Sequence, residues 1–267
     1  IARAALSTSL ALQGFADKAR AEARTSMEEL LSDVLLMSSC RVLNYGPCRV
    51  GLLIGDLDSA EEAIGRLIDL ATRSNALIWQ IEGQFLNAQL MIERKQFEAG
   101  LAAVRDALDS SRRVGWHTSN PEFDCTLTIA LAATGRFKEA LDVVDRALAA
   151  AASNWDMQSV HLPELHRAKG IALLGQAPSL NASLAEACFR QAAEIADQQG
   201  VLLFELRAAR DLAGACMAQG RRSEAREILA QVYERFTEGF ETPDLQEART
   251  LLALLDGSRS DSPGNTM

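Results

Sequence analysis

The chain has 267 residues, a net charge of −9 and a pI near 5.0; 48% of it is apolar but only 5% aromatic. An acidic surface disfavours nucleic-acid binding, because phosphate contacts need clustered lysine and arginine. No apolar run approaches ~18 residues, so no membrane span is expected, and no signal peptide is visible. The five cysteines (Cys40, Cys48, Cys125, Cys188, Cys216) are scattered and odd in number, with no CxxC pair. Buried, reduced thiols in a cytoplasmic protein are the expectation.

Alanine and leucine dominate, and alternating β-branched runs are absent, which points to an all-α protein. In chain order the apolar periodicity predicts paired helices over residues 1–12 and 16–31, 33–55 and 58–73, and 77–94 and 97–112. Further pairs follow over 122–134 and 138–151, up to 174 and from 184 to 198, and over 202–218 and 224–236. A helix over 243–255 puts Leu245, Ala248, Leu252 and Leu255 on one face. Thr242 is its expected N-cap, Pro243 suits its first turn and Asp244 favours its dipole. It reads as a cap on the array. The polar tail 257–267 has nothing to bury and is expected to be disordered.

The turns define a repeat. Gly14, Gly55, Lys95, Gly135, Gly175 and Gly220 follow one another at 41, 40, 40, 40 and 45 residues. A small residue stands five positions after most of them: Ala19, Ala60, Gly100, Ala140 and Ala225. Glycine at the turn takes the left-handed conformation cheaply, and the small residue lets two helix axes approach. Forty residues hold two helices of roughly 17 residues, each about 25 Å long. The expected fold is a tetratricopeptide-like, right-handed superhelical array of about six hairpins over residues 1–256, plus the capping helix.

Three places break the pattern. Gly46-Pro47 falls inside a helix and predicts a kink or break, since proline removes a hydrogen bond and clashes with the preceding turn. Pro163 marks a helix start or bend, and residues 176–182 read as an inserted loop. Asp58-Ser59-Ala60-Glu61 offers an acidic cap.

The runs QGRRSEAREILAQVY (219–233) and TGRFKEALDVVDRAL (134–148) look like the turn and second helix of tetratricopeptide units. The segments PELHRAKGIALL (163–174), AEACFRQAAEIADQQG (185–200) and FTEGFETPDL (236–245), with LALQGFADKA (10–19), resemble the C-terminal repeats of a bacterial signalling family. Its members join an output module, either a winged-helix DNA-binding domain or a class III adenylate cyclase, to a STAND-type ATPase and then a repeat array. The resemblance implies that this segment is the sensor or scaffold arm, and that the ATPase and output domain lie upstream. The chain starts at Ile1 without methionine, and Leu6 and Leu10 have no preceding unit, so a larger protein is expected.

Catalytic signals are weak. No GxxxxGK[ST] loop is present. His161 and His166 are five apart, with Glu164 between them, and miss the i, i+4 zinc spacing. His117 has no nucleophile at a suggestive spacing. Glu122, Asp124, Glu139 and Asp142 read as a solvated acidic face. No cofactor is expected.

Two sets remain as groove candidates. Trp79, Trp116 and Trp155 recur at 37 and 39 residues, either filling equivalent inter-repeat pockets or lining a groove with aromatic surface. Gln80, Gln84, Asn87, Glu164, Lys169, Glu205 and Arg207 fall on first helices, which line the concave side of such superhelices; inter-unit salt bridges are their other use. The expected role is a non-catalytic module that binds a protein partner or small effector and regulates its own upstream ATPase. A structural oligomerisation platform is the alternative, and an enzyme built around His161, His166 and Glu164 is a further one.

Overall fold

The computed structural model describes residues 1–30, 36–115, 121–153 and 160–257. Those residues are helical and turn structure throughout, without strands. Six antiparallel pairs follow one another. The first is α1 (Ala2–Leu12) with α2 (Ala16–Leu30); the second joins α3 (Leu36–Leu43) and α4 (Arg49–Ile54) with α5 (Leu57–Arg73). Then come α6 (Leu77–Glu93) with α7 (Phe97–Arg113), α8 (Pro121–Ala133) with α9 (Phe137–Ser153), α10 (Leu162–Gln176) with α11 (Pro178–Gln199), and α12 (Leu202–Ala218) with α13 (Arg222–Tyr233). The capping helix α14 (Pro243–Asp256) closes the series. No described helix is long and apolar enough to cross a membrane.

The repeat rests on the turn chemistry. Gly14, Gly55, Gly135 and Gly220 have φ between 75° and 88°, and Lys95 takes the same left-handed region at 62°. The small residues five positions on, Ala19, Ala60, Ala140 and Ala225, are fully buried. Gly100 is buried in the equivalent place, where a Cβ would lie 2.6 Å from Ile92 Cγ1. Gly175 is a different case. It sits inside α10, where a Cβ would meet Phe137 at 2.1 Å, so close helix approach, and not a turn, requires glycine there.

The turn lies at Ala177 instead, and α11 begins at Pro178. Of the expected loop over 176–182 only Ala177 is non-helical: the extra residues lengthen α11 to 22 residues at its N-terminal end. Pro163 fits the first turn of α10, so that helix starts there. The cap of α5 is Asp56, not Asp58; its carboxylate accepts from the Ser59 amide at 3.3 Å. Thr242 stands at the N-cap of α14 in an extended conformation but makes no side-chain capping bond. Residues 258–267 of the expected tail lie outside the described residues.

Gly46-Pro47 does not break the helix. Residues Asn44–Cys48 widen into one π-helical turn between α3 and α4, which absorbs the missing proline N–H within a continuous helical path. Gly46 lets this turn close on α1, with its Cβ position 3.0 Å from Ala4 Cβ. Four of the five cysteines are buried, Cys188 is half-buried, and all are free thiols.

The two ends of the array meet. A Cβ on Gly14 would touch Phe236 at 2.8 Å, one on Gly55 would touch Pro243 at 2.5 Å, and one on Gly239 would touch Ala16 at 2.7 Å. Leu12 and Leu53 pack against Val201, Leu203 and Phe204. Glu238 accepts from the Lys18 amide at 3.0 Å, and Asp17 accepts from the Gly239 amide at 3.1 Å. The superhelix thus closes on itself within six pairs.

Candidate functional site

Closure leaves a half-open cavity of about 530 Å³, in the range of small-molecule sites. Its wall is built almost wholly from first helices, one contribution from every pair: Thr8 from α1, Arg49 from α4, Glu82 from α6, Glu122 from α8, Glu164 from α10 and Arg207 from α12. The π-helical turn brings Tyr45 and Arg49 to this wall. First helices face inward because their opposite stripes pack on the second helices through the buried alanines.

The wall carries a charged network in two parts. In the first, the Arg49 guanidinium pairs with Glu122 and, at 3.3 Å, with Glu82. Gln89 bridges Glu122 and Thr126 at 3.4 and 3.1 Å. His161 Nε2 stands 3.7 Å from Glu122. In the second, Arg167 donates twice to Glu164, at 2.7 and 2.8 Å, and once to Asp211 at 2.9 Å. Arg207 donates to Asp244 at 2.8 and 3.0 Å and to the Leu53 carbonyl at 3.2 Å. Arg210 adds a further bond to Asp244 at 3.1 Å.

The two parts differ electrostatically. Burial pushes the Glu82 carboxyl up to about 7; Arg49 pulls it down, but Glu122, competing for the same guanidinium, pushes it up again. Burial also raises the Glu122 carboxyl, yet Arg49 outweighs it and holds that group below its ordinary value. Burial keeps the His161 imidazole below its usual range despite Glu122. Glu164 and Asp244 are held low because Arg167 and Arg207 outweigh their burial. Two buried atoms near the first part have no hydrogen-bond partner among the described residues, Asn44 Oδ1 and Arg49 Nε.

Of the residues expected in a groove, Glu164 and Arg207 line the cavity. Glu205 lies elsewhere, buried and paired with Arg235 at 2.6 Å. Lys169 reaches Asp145 of the preceding pair at 2.7 Å, on the outside. Gln80 donates to the Ala71 carbonyl at 3.1 Å, Gln84 is exposed and Asn87 half-buried, and none of the three is on the cavity wall. Trp79 is buried between the second and third pairs, edge-on to Tyr45 with ring centroids 6.5 Å apart. Trp116, Trp155 and His117 lie outside the described residues.

The acidic-face reading of Glu122 and Asp124 is corrected. Glu122 is buried on the cavity wall, and burial raises the Asp124 carboxyl to about 6; only Glu139 and Asp142 face solvent. Sequence reasoning missed Arg49, Glu82, Glu122 and Arg167 as site residues. The repeat register carried a signal for them: Glu82 and Glu122 are 40 residues apart, as are Arg167 and Arg207.

Glu186, Cys216 and Glu224 bring three possible metal ligands within 4.8 Å. Both carboxylates already accept from Arg190 and Arg221, so their charge is neutralised by an inter-pair ion network.

No protein-family model and no curated protein matches the chain. Solved structures share the fold. The apo form of RapI aligns with a TM-score of 0.54 at 13% identity, covering 96% of this chain and 70% of that one. A signal transduction ATPase with numerous domains (STAND), with a tetratricopeptide repeat sensor, from Pyrococcus horikoshii aligns at 0.50 and 13% identity. The alignment covers 96% of this chain but only 39% of that protein. The apo form of the quorum sensor NprR from B. thuringiensis aligns at 0.48 and 12%. The chain is thus an all-α, tetratricopeptide-like helical-repeat array.

Proposed function

We propose that this chain is a non-catalytic sensor module whose closed superhelix holds a small effector. The observation that carries the reading is the half-open, charged cavity to which all six pairs contribute. A ligand there touches every repeat at once, so occupancy bears on the contacts that join the first pair to the last. Leu53 and Arg207 belong both to the wall and to that junction, which gives a direct physical route from ligand to array closure.

The likeness to a STAND protein with a repeat sensor supports placing an ATPase upstream. The resemblance of the tail FTEGFETPDL supports an output module of the winged-helix or adenylate cyclase type. In this reading the array acts on its own ATPase domain, in the cytoplasm, and needs no cofactor.

The test is a thermal melt of the chain with the small-molecule fraction of a bacterial extract. A rise in Tm is expected for the parent and is expected to vanish when the cavity is filled by Ile129→Trp or, separately, Leu52→Trp. An unchanged Tm, or a rise retained by both filled variants, contradicts the reading.

A further inference from the structure

The charges on the cavity wall are spent on one another. Arg167 gives Nε and both terminal nitrogens to Glu164 and Asp211. Arg207 is held by Asp244 and approached by Glu164 at 3.8 Å. The two terminal nitrogens of Arg49 go to Glu122 and Glu82, and Gln89 donates to Glu122 as well. Glu93, on the exposed edge of the wall, stabilises the charge of Arg207. Burial favours the neutral imidazole of His161 and the protonated carboxyl of Glu82. A charged ligand entering here would give up its water without meeting a free counter-ion, and burying such a charge is costly.

One buried polar atom of the lining residues is left without a partner, Arg49 Nε. Its N–H is a donor and nothing else, so what it lacks is an acceptor. A specific backbone device sets it there. The π-helical turn Asn44–Cys48 is the one helical element among the described residues that is not an α-helix, and it brings Tyr45 and Arg49 to the wall. Such turns are uncommon and recur at functional sites. The wall also offers aliphatic and aromatic surface, from Leu52, Ile92, Ile129, Val160 and Phe204.

We infer that the effector is an uncharged carbonyl compound with an aliphatic body, whose oxygen accepts the hydrogen bond of Arg49 Nε. This rests on the cavity being an effector site. A carbonyl oxygen fits better than a hydroxyl, because it accepts without bringing a donor that would itself need a partner. The donor is charged, which makes the bond stronger than one between neutral groups. The aliphatic body gains by leaving water for the apolar part of the wall.

NMR titration of the full chain at neutral pH with three eight-carbon probes tests this: 2-octanone, octanoate and octylamine. The ketone is expected to bind at least about tenfold more tightly than either ion, since neither ion finds a free counter-charge. Arg49→Lys keeps a cation between Glu82 and Glu122 but puts a methylene where Nε stands. It is expected to weaken ketone binding at least about tenfold, the worth of one hydrogen bond from a charged donor. Arg41→Lys, on the exposed side of α3, is the control and is expected to change nothing. Ile129→Trp, which fills the cavity, is expected to abolish ketone binding.

Octanoate or octylamine binding as tightly as the ketone overturns the inference, and so does unchanged ketone binding by Arg49→Lys or by Ile129→Trp. The comparison of the three probes on the parent decides alone where Arg49→Lys fails to fold. If an ion binds best and Ile129→Trp abolishes that binding, the effector site stands and only the uncharged class falls. If no probe binds, the inference falls, and the extract experiment alone judges the effector site.

Discussion

The two halves of the cavity wall solve the same problem with different completeness. Around α10, α12 and α14, Glu164, Arg167, Arg207, Asp211 and Asp244 form a network in which every charge has a partner within hydrogen-bonding distance. Around α4, α6 and α8, one guanidinium serves two carboxylates, and one of these, Glu82, holds its proton up to about 7. A buried ion network is worth little unless it is fully matched. The matched half is therefore framework, joining the capping helix to the wall through Asp244. The other half is less completely matched, since Glu82 and Glu122 share Arg49.

The largest expected effect comes from breaking the matched half. Arg167→Ala takes from buried Glu164 its closest cation, leaving only Arg207 at 3.8 Å, and is expected to cost about 3 kcal/mol in chemical denaturation. A loss no greater than that of an exposed arginine would show that the two halves do not differ. Overpacking the frame that both halves share comes next. Ala140→Leu and Ala225→Leu, at fully buried turn-proximal positions, should each cost about 1–3 kcal/mol. Parent-like melting of both would remove the close-approach role of these alanines.

Glu82→Gln should move the other way. In the unfolded chain this carboxyl loses its proton near 4.5, and in the folded chain only near 7. Across that window the folded state holds the extra proton, so stability falls as pH rises through it. Glutamine does not titrate, so the variant should gain roughly 1–3 kcal/mol over the parent above neutral pH and nothing below the ordinary carboxylate range. A pH-independent difference would contradict the raised carboxyl. The smallest effect is expected at the junction of the ends: Lys18, 60% exposed, pairs with Glu238 at 3.5 Å, and Lys18→Ala should change stability by no more than ~1 kcal/mol.

The frame was legible in the sequence because its signals are local. A left-handed turn and a small residue five positions later need no knowledge of distant contacts, and Lys95 follows the rule although it is not glycine. Gly175 misled because glycine serves close approach as well as turns, and only the position of Phe137 tells which. Pro178 could have been read as a helix N-terminus instead of part of a loop, since proline fits that position. The site was less legible. Glu164 and Arg207, named either as groove residues or as inter-unit ion pairs, line the cavity and are ion-paired across units, whereas Glu122 was assigned to solvent because an acidic residue near others usually is. Its burial depends on Arg49, 73 residues away, and on the closure of the array, which no single repeat encodes. The 40-residue register shared by Glu82 and Glu122 was the available clue.

The contrast between the two halves is tested most directly by carbon-detected NMR titration of the glutamate carboxyls. Glu82 is expected to titrate near 7, and Glu164 below its ordinary 4.5. A Glu82 midpoint at the ordinary carboxylate value would contradict the account.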